Sequence, residues 1–141
     1  MKDKVFGELQ FNVGWYKNET ITLWGNLYTF RIRVSSTKDE LPNEKQQQAY
    51  LSFKENINKI SDESFGPVNV FLQENMDEIS EEYGQSLPTK LTDTLIPNQV
   101  LFFKNGKIAL IFDVTWKDEN VVCLLGQTII VDYGYVIEGE V

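Results

Sequence analysis

Two blocks of strict apolar–polar alternation flank a stretch with helical spacing, and that order limits the folds open to this chain. Near the N-terminus, Leu9, Phe11 and Val13 alternate with Glu8, Gln10 and Asn12, and Ile21 and Leu23 alternate with Thr20 and Thr22. Tyr28, Phe30, Ile32 and Val34 then alternate with Thr29, Arg31 and Arg33. A period of two is the mark of a half-buried strand. Lys17-Asn18 and Gly25-Asn26 supply turn chemistry between these runs. Residues 5–34 therefore read as a three-stranded antiparallel meander.

The second block opens with the continuous apolar run 100–103, followed by Asn105-Gly106, a hairpin dipeptide whose residues tolerate positive φ. Ile108, Leu110, Phe112 and Val114 alternate next. A turn near 117–120 and strands at 121–125 and 128–136 complete the block. Between the blocks, Pro42 suits the first turn of a helix. Tyr50, Phe53, Ile57 and Ile60 share one helical face. A second helix is predicted to begin near Pro67, with Leu72, Met76, Ile79 and Tyr83 inward and Gly84 as its C′ residue. Residues 85–98 read as a surface connection. The predicted fold class is α+β: a largely antiparallel sheet of three N-terminal and about four C-terminal strands, with two central helices packed on one face. The length, 141 residues, fits a single domain over 1–141.

The chain has no histidine, so it cannot build a Ser-His-Asp or Cys-His triad by itself. Its one cysteine, Cys123, lies in the apolar run 121–125 and reads as a buried strand thiol; no zinc site of the usual kind follows from one thiolate. No Gly-x-Gly-x-x-Gly or Walker-type loop is present, and no nucleotide or other cofactor is expected. The first residues, Met1 to Glu8, are charged and form no apolar signal core, and no apolar run reaches the length of a membrane span. The expected location is the cytoplasm. A net charge of −8 repels phosphate backbones and anionic membranes, so neither nucleic acid nor membrane is expected as a partner. A basic protein is the class this charge attracts.

Charge placement is the strongest functional signal. Residues 61–82 hold seven acids and no base. At 100° per residue, Glu74, Asp77, Glu78, Glu81 and Glu82 fall within an arc of about 140° opposite Leu72, Met76, Ile79 and Tyr83. The pairs Glu74/Glu78, Glu78/Glu82 and Asp77/Glu81 are like charges at i,i+4, each unfavourable by roughly 0.2–0.5 kcal/mol. Such a face is either plain solvated surface or a docking site for a basic partner. Asp118 and Glu119, in the C-terminal hairpins, are expected to extend it.

Other groups are less specific. Asp113, Asp118, Glu119 and Asp132 cluster near Trp116 without a recognised metal or acid–base spacing. Asp113 shares a predicted strand face with Ala109 and Ile111, which points to partial burial and hydrogen bonding. Trp15, Tyr16 and Trp24 lie around the first hairpins, with Trp24 expected in the core. Arg31 and Arg33 project from one strand face, where they either hold an anion or pair with nearby acids.

Several segments resemble a family of small bacterial proteins classed as a domain of unknown function. They are Phe6-Gly7-Glu8-Leu9 with Gly14-Trp15, Leu23-Trp24-Gly25-Asn26-Leu27-Tyr28, Phe103-Lys104-Asn105-Gly106-Lys107-Ile108 and Phe112-Asp113-Val114-Thr115-Trp116-Lys117-Asp118-Glu119. They cover about half the chain and are fold patterns, not catalytic ones. Members often carry His-Gly after the Trp-x-x-Glu segment, where this chain has Asn120-Val121. The resemblance is immunity-protein-like and implies a binding role. The expected function is thus a non-enzymatic acidic protein-binding domain, an immunity protein neutralising a basic, nuclease-like toxin. The rival readings are a carboxylate- or metal-dependent hydrolase, with Asp113 first to test, and a structural subunit that self-associates through a sheet edge.

Overall fold

The computed structural model describes residues 1–137. The N-terminal block forms β1 (Lys2–Asp3), β2 (Gly7–Glu8), β3 (Gln10–Phe11), β4 (Trp15–Leu23) and β5 (Asn26–Val34). The helical middle is α1 (Glu44–Glu55), α2 (Ile57–Glu74) and α3 (Met76–Tyr83). Two 3-10 turns, Gly84–Ser86 and Leu91–Thr94, lead into β6 (Leu95–Phe102), β7 (Ile108–Val114), β8 (Asn120–Leu125), β9 (Ile130–Tyr133) and α4 (Gly134–Ile137). β1 and β2 form a small sheet, and the other strands form a seven-stranded sheet in the order β3-β4-β5-β6-β7-β8-β9. The class is α+β, as the alternation implies. Every neighbouring pair is antiparallel except β5–β6, where residues 31–34 run parallel to 99–102.

The first block departs from the predicted meander at both turns. Lys17-Asn18 is not a turn, because both residues lie inside β4, opposite Ile32 and Arg31 of β5. The reversal instead falls at residues 12–14, where Val13 (φ 60°) and Gly14 (φ 148°) take positive φ. Val13 thereby leaves the apolar face and is 85% exposed. Gly14 suits the place on two counts. Its φ is rarely adopted by L side chains, and a Cβ there would sit 3.3 Å from the Val34 carbonyl oxygen. The second reversal lies one residue earlier than predicted. Trp24 (φ 52°) and Gly25 (φ 80°) form a two-residue turn, and Asn26 already pairs with Leu23. Two positive φ values suit the right-handed twist of the strands. The strain on Trp24 is opposed by packing: its ring stacks on Phe112 at 5.3 Å, and its indole N–H donates to Ser64 Oγ at 3.0 Å.

The middle folds as three helices, not two. Asn43 caps α1, its side chain accepting from the Gln46 backbone while Gln46 Oε1 accepts from the Asn43 N–H. Pro42 therefore stands before the cap, outside the helix. Asn56 separates α1 from α2, so Ile57 and Ile60 belong to the second helix. Pro67 lies within α2 and does not start it. An interior proline costs about 3 kcal/mol. Burial of Val68, Phe71 and Leu72 against the sheet offsets this. Asn75 interrupts the helical path before α3.

β6 begins at Leu95, five residues earlier than the apolar run suggested, and so takes up part of the expected 85–98 connection. A bulge between Pro97 and Gln99 accommodates the proline, which has no N–H for the ladder. The Asn105-Gly106 hairpin is present, with Gly106 at φ 87°. The last predicted strand is shorter than 128–136, because residues 134–137 turn into α4.

The core cluster joins both β-blocks to α1, α2 and α3 on one sheet face, through Phe30, Ile32, Phe53, Leu72, Val100, Phe102, Leu110, Phe112 and Cys123, among others. On the opposite face a smaller cluster of Ala109, Val122 and Leu124 is closed by Ile137 of α4. No described helix is long and apolar enough to cross a membrane.

Candidate functional site

α3 is amphipathic in the predicted sense. Ile79 is buried, Met76 and Tyr83 are packed on the core, and Asp77, Glu78, Glu81 and Glu82 are exposed. Glu74 belongs to the end of α2, beyond the Asn75 break, and lines a separate groove with Pro67, Val70, Phe71 and residues 129–131. The five predicted helix acids therefore do not form one face. Asp77, Glu78, Glu81 and Glu82 form it without Glu74.

A polar network fixes α3 against the C-terminal strands. Trp116 Nε1 donates to the Tyr133 hydroxyl at 3.0 Å. That hydroxyl has Glu78 Oε2 at 3.3 Å and Asn75 Oδ1 at 3.4 Å as acceptors for its proton. Tyr83 and Thr115 join hydroxyls at 2.6 Å. Burial pushes the Tyr133 phenol above its ordinary pKa; the Trp116 hydrogen bond opposes this and Glu78 adds to it. Tyr133 thus acts as a protonated tether.

The β7–β8 turn leans onto α3 and forms a hollow lined by Glu78, Glu81, Glu82, Trp116 and Lys117. Lys117 Nζ lies 3.7 Å from Glu78 Oε2 and 4.5 Å over the Tyr133 ring. Desolvation works to lower the Lys117 pKa, but Glu78, Tyr133, Tyr135 and Glu119 outweigh it and hold the ammonium above its usual range. Glu119 acts on Lys117 through its charge, while Asp118 is exposed on the turn beside it. The alternation pattern gave no sign of Lys117. It partly neutralises Glu78, whereas Asp77, Glu81 and Glu82 make no ion pair among the described residues.

The remaining candidates have structural partners. Asp113 is half-buried, and its Oδ1 accepts from the side-chain amides of Asn98 and Asn120. Asp132 caps the Tyr133 N–H at 2.8 Å. Among the described residues, no group of three or more His, Cys, Asp or Glu is placed to hold a metal ion. Trp15 and Trp24 are both buried. Arg31 stacks on the Tyr16 ring at 4.3 Å, and Arg33 Nη2 donates to the Asn12 carbonyl at 2.8 Å. Among the described residues, neither arginine pairs with an acid.

Residues 5–135 match the model of a domain of unknown function, DUF6985. The chain belongs to that family. The match runs through both β-blocks and the helical middle, well beyond the segments that carry the sequence resemblance. No curated protein and no solved structure matches the chain. For this DUF6985 member the geometry around α3 is therefore the main guide to function.

Proposed function

We propose that this protein is a non-enzymatic binding domain whose α3 face and adjoining β7–β8 turn receive a basic protein. The observation that carries the reading is the hollow itself. Glu81 and Glu82 are exposed and make no ion pair among the described residues, beside the half-exposed ring of Trp116, on a helix tethered to Tyr133. Like charges at i,i+4 are tolerated there although they destabilise a helix. An aromatic flanked by unpaired acids suits a basic interface, where charge speeds encounter and the ring anchors the complex. In its narrower form the reading makes the partner a toxin domain with a basic substrate cleft, and this chain the immunity protein that fills it. That form rests on the immunity-like resemblance of the sequence.

The test is capture from lysate on the immobilised protein, eluted by a salt gradient, beside a variant carrying Asp77→Asn, Glu81→Gln and Glu82→Gln. Glu78 stays intact, so the tether to Tyr133 survives. The expected result is a basic protein released at one salt step and held about 3–150-fold more weakly by the variant, as three charge pairs of roughly 0.2–1 kcal/mol each imply. Equal retention of the same proteins by both forms refutes the assignment of this face.

A further inference from the structure

The β4 end of the main sheet is open. β3 pairs only with Trp15 and Tyr16, so residues 17–23 have β5 on one side and no strand on the other among the described residues. Register decides which backbone groups are free. Leu23 and Asn26 close the two-residue turn, so the odd-numbered residues of β4 bond to β5. The N–H and C=O groups of Asn18, Thr20 and Thr22 consequently point away from the sheet. They offer an unused ladder along an edge about 23 Å long.

Beside this edge, on the helix side, lies a cavity of about 290 Å³ lined by Glu19, Ile21, Phe53, Lys54, Ile57 and Asn58, together with the two edge threonines. Its apolar wall can take one medium-sized side chain. Its other wall is charged. Glu19 Oε1 accepts from the Tyr50 hydroxyl at 2.7 Å and lies 3.2 Å from Lys54 Nζ and 3.5 Å from Lys17 Nζ. Glu19 Oε2 is buried with no hydrogen-bond partner among the described residues. Two ammonium groups thus share one carboxylate; Lys17 also donates to the Phe6 carbonyl at 2.6 Å, so Lys54 carries the positive charge open to a ligand at this end of the groove. Lys54 is half-exposed, with its ammonium also 5.5 Å over the Tyr50 ring.

We propose that the β4 edge receives an extended segment of another protein as an added strand. One apolar side chain of that segment enters the cavity, and an acidic side chain two residues away on the same face meets Lys54. An extended backbone is what three outward donor–acceptor pairs recognise, and alternate side chains then set specificity. A second copy of the chain fits poorly. Antiparallel self-pairing about Thr20 sets Glu19 and Lys17 against the apolar Ile21 and Leu23 of the other copy, and each copy carries a charge of −8. Inward-pointing charges on an edge strand are a known barrier to such pairing. This surface lies at the opposite end of the sheet from α3, so the proposal stands apart from the one above.

The probe is the blocked peptide Thr-Val-Thr-Leu-Thr-Glu-Thr, titrated into the full chain and followed by amide NMR. The expected result is saturable shifts and new exchange protection at Asn18, Thr20 and Thr22. Replacing the peptide's leucine by threonine, or its glutamate by lysine, is expected to weaken binding about tenfold or more. Thr20→Pro in the protein removes a central edge donor, a change that edge strands tolerate, and is expected to abolish binding with the melting temperature unchanged within a few degrees. No shift at millimolar peptide overturns the proposal. Shifts confined to other residues, or equal binding by Thr20→Pro, also overturn it. So does a concentration-dependent dimer in sedimentation that Thr20→Pro converts to monomer, since the occupant is then a second copy.

Discussion

Gln46 is 1% exposed and ties the one parallel joint of the sheet to the start of α1. Its Nε2 donates to the Ser35 carbonyl at 2.8 Å and to the Phe102 carbonyl at 3.1 Å, and its Oε1 accepts from the Asn43 N–H at 3.0 Å. The near-isosteric Gln46→Met removes all three bonds and leaves little cavity. Phe102 O keeps the Ser35 N–H as a partner, so the Ser35 carbonyl and the Asn43 N–H bear most of the loss. At roughly 0.5–1.5 kcal/mol per bond, the variant should lose about 2–4 kcal/mol. For a chain of this size that lowers Tm by about 5–15 °C. In urea, with a slope of about 2 kcal/mol/M, it lowers the midpoint by about 1–2 M. Urea unfolding followed by tryptophan fluorescence and far-UV circular dichroism measures the change. A loss below about 1 kcal/mol with the slope unchanged refutes the clamp, because the three lost bonds together are worth more than that.

Two further outcomes follow from ionisable groups that are wholly or partly buried. Burial works to raise the Glu19 pKa, but the Tyr50 and Lys54 hydrogen bonds and the charges of Lys54 and Lys17 together hold it below its ordinary value. A depressed folded pKa contributes stability that is present above the unfolded value near 4.5 and is lost as pH falls through the folded value. Glu19→Gln should therefore flatten the acid limb of the stability–pH curve measured by urea unfolding, and an unchanged limb contradicts the cluster. Burial pushes the Cys123 thiol up to about 12, so it stays a thiol at neutral pH. A disulfide reagent should label it only in denaturant, and rapid labelling of the native protein contradicts its place on β8.

Face assignment was the most legible part of the fold. The parity of Phe30, Ile32 and Val34, and of Leu110, Phe112 and Val114, placed each on the helix-covered side. Parity does not name a strand's neighbour, so the β5–β6 joint was invisible to it. It also cannot separate a true strand from a chance alternation, which is why Val13 was misplaced by a turn that Gly14 controls. Pro67 reads equally as a helix start or an interior residue until the burial of Val68 and Phe71 is known. At the candidate site, helical spacing correctly put Asp77, Glu78, Glu81 and Glu82 outward. The separation of Glu74 depends on Asn75, and the partnership of Glu78 with Lys117 and Tyr133 depends on tertiary contacts that no local pattern encodes. The β4 edge is a matter of which strand is missing, and sequence alternation carries no information on absence.

The parallel joint also sets an order of events during synthesis. β5 leaves the ribosome with its apolar face and one ladder side unfilled, and its partner residues 99–102 follow only after the whole helical segment. Closing a loop of roughly seventy residues costs about 4 kcal/mol of chain entropy beyond a constant term. The N-terminal hairpin therefore waits, with a sticky edge in solution, until residue 102 has emerged. A chain cut between α3 and β6 would leave two halves that each lack a sheet neighbour, with edges complementary to one another. This fold is thus built to be completed from its second half, and the helical segment is the tether that keeps the two halves at high local concentration until they join.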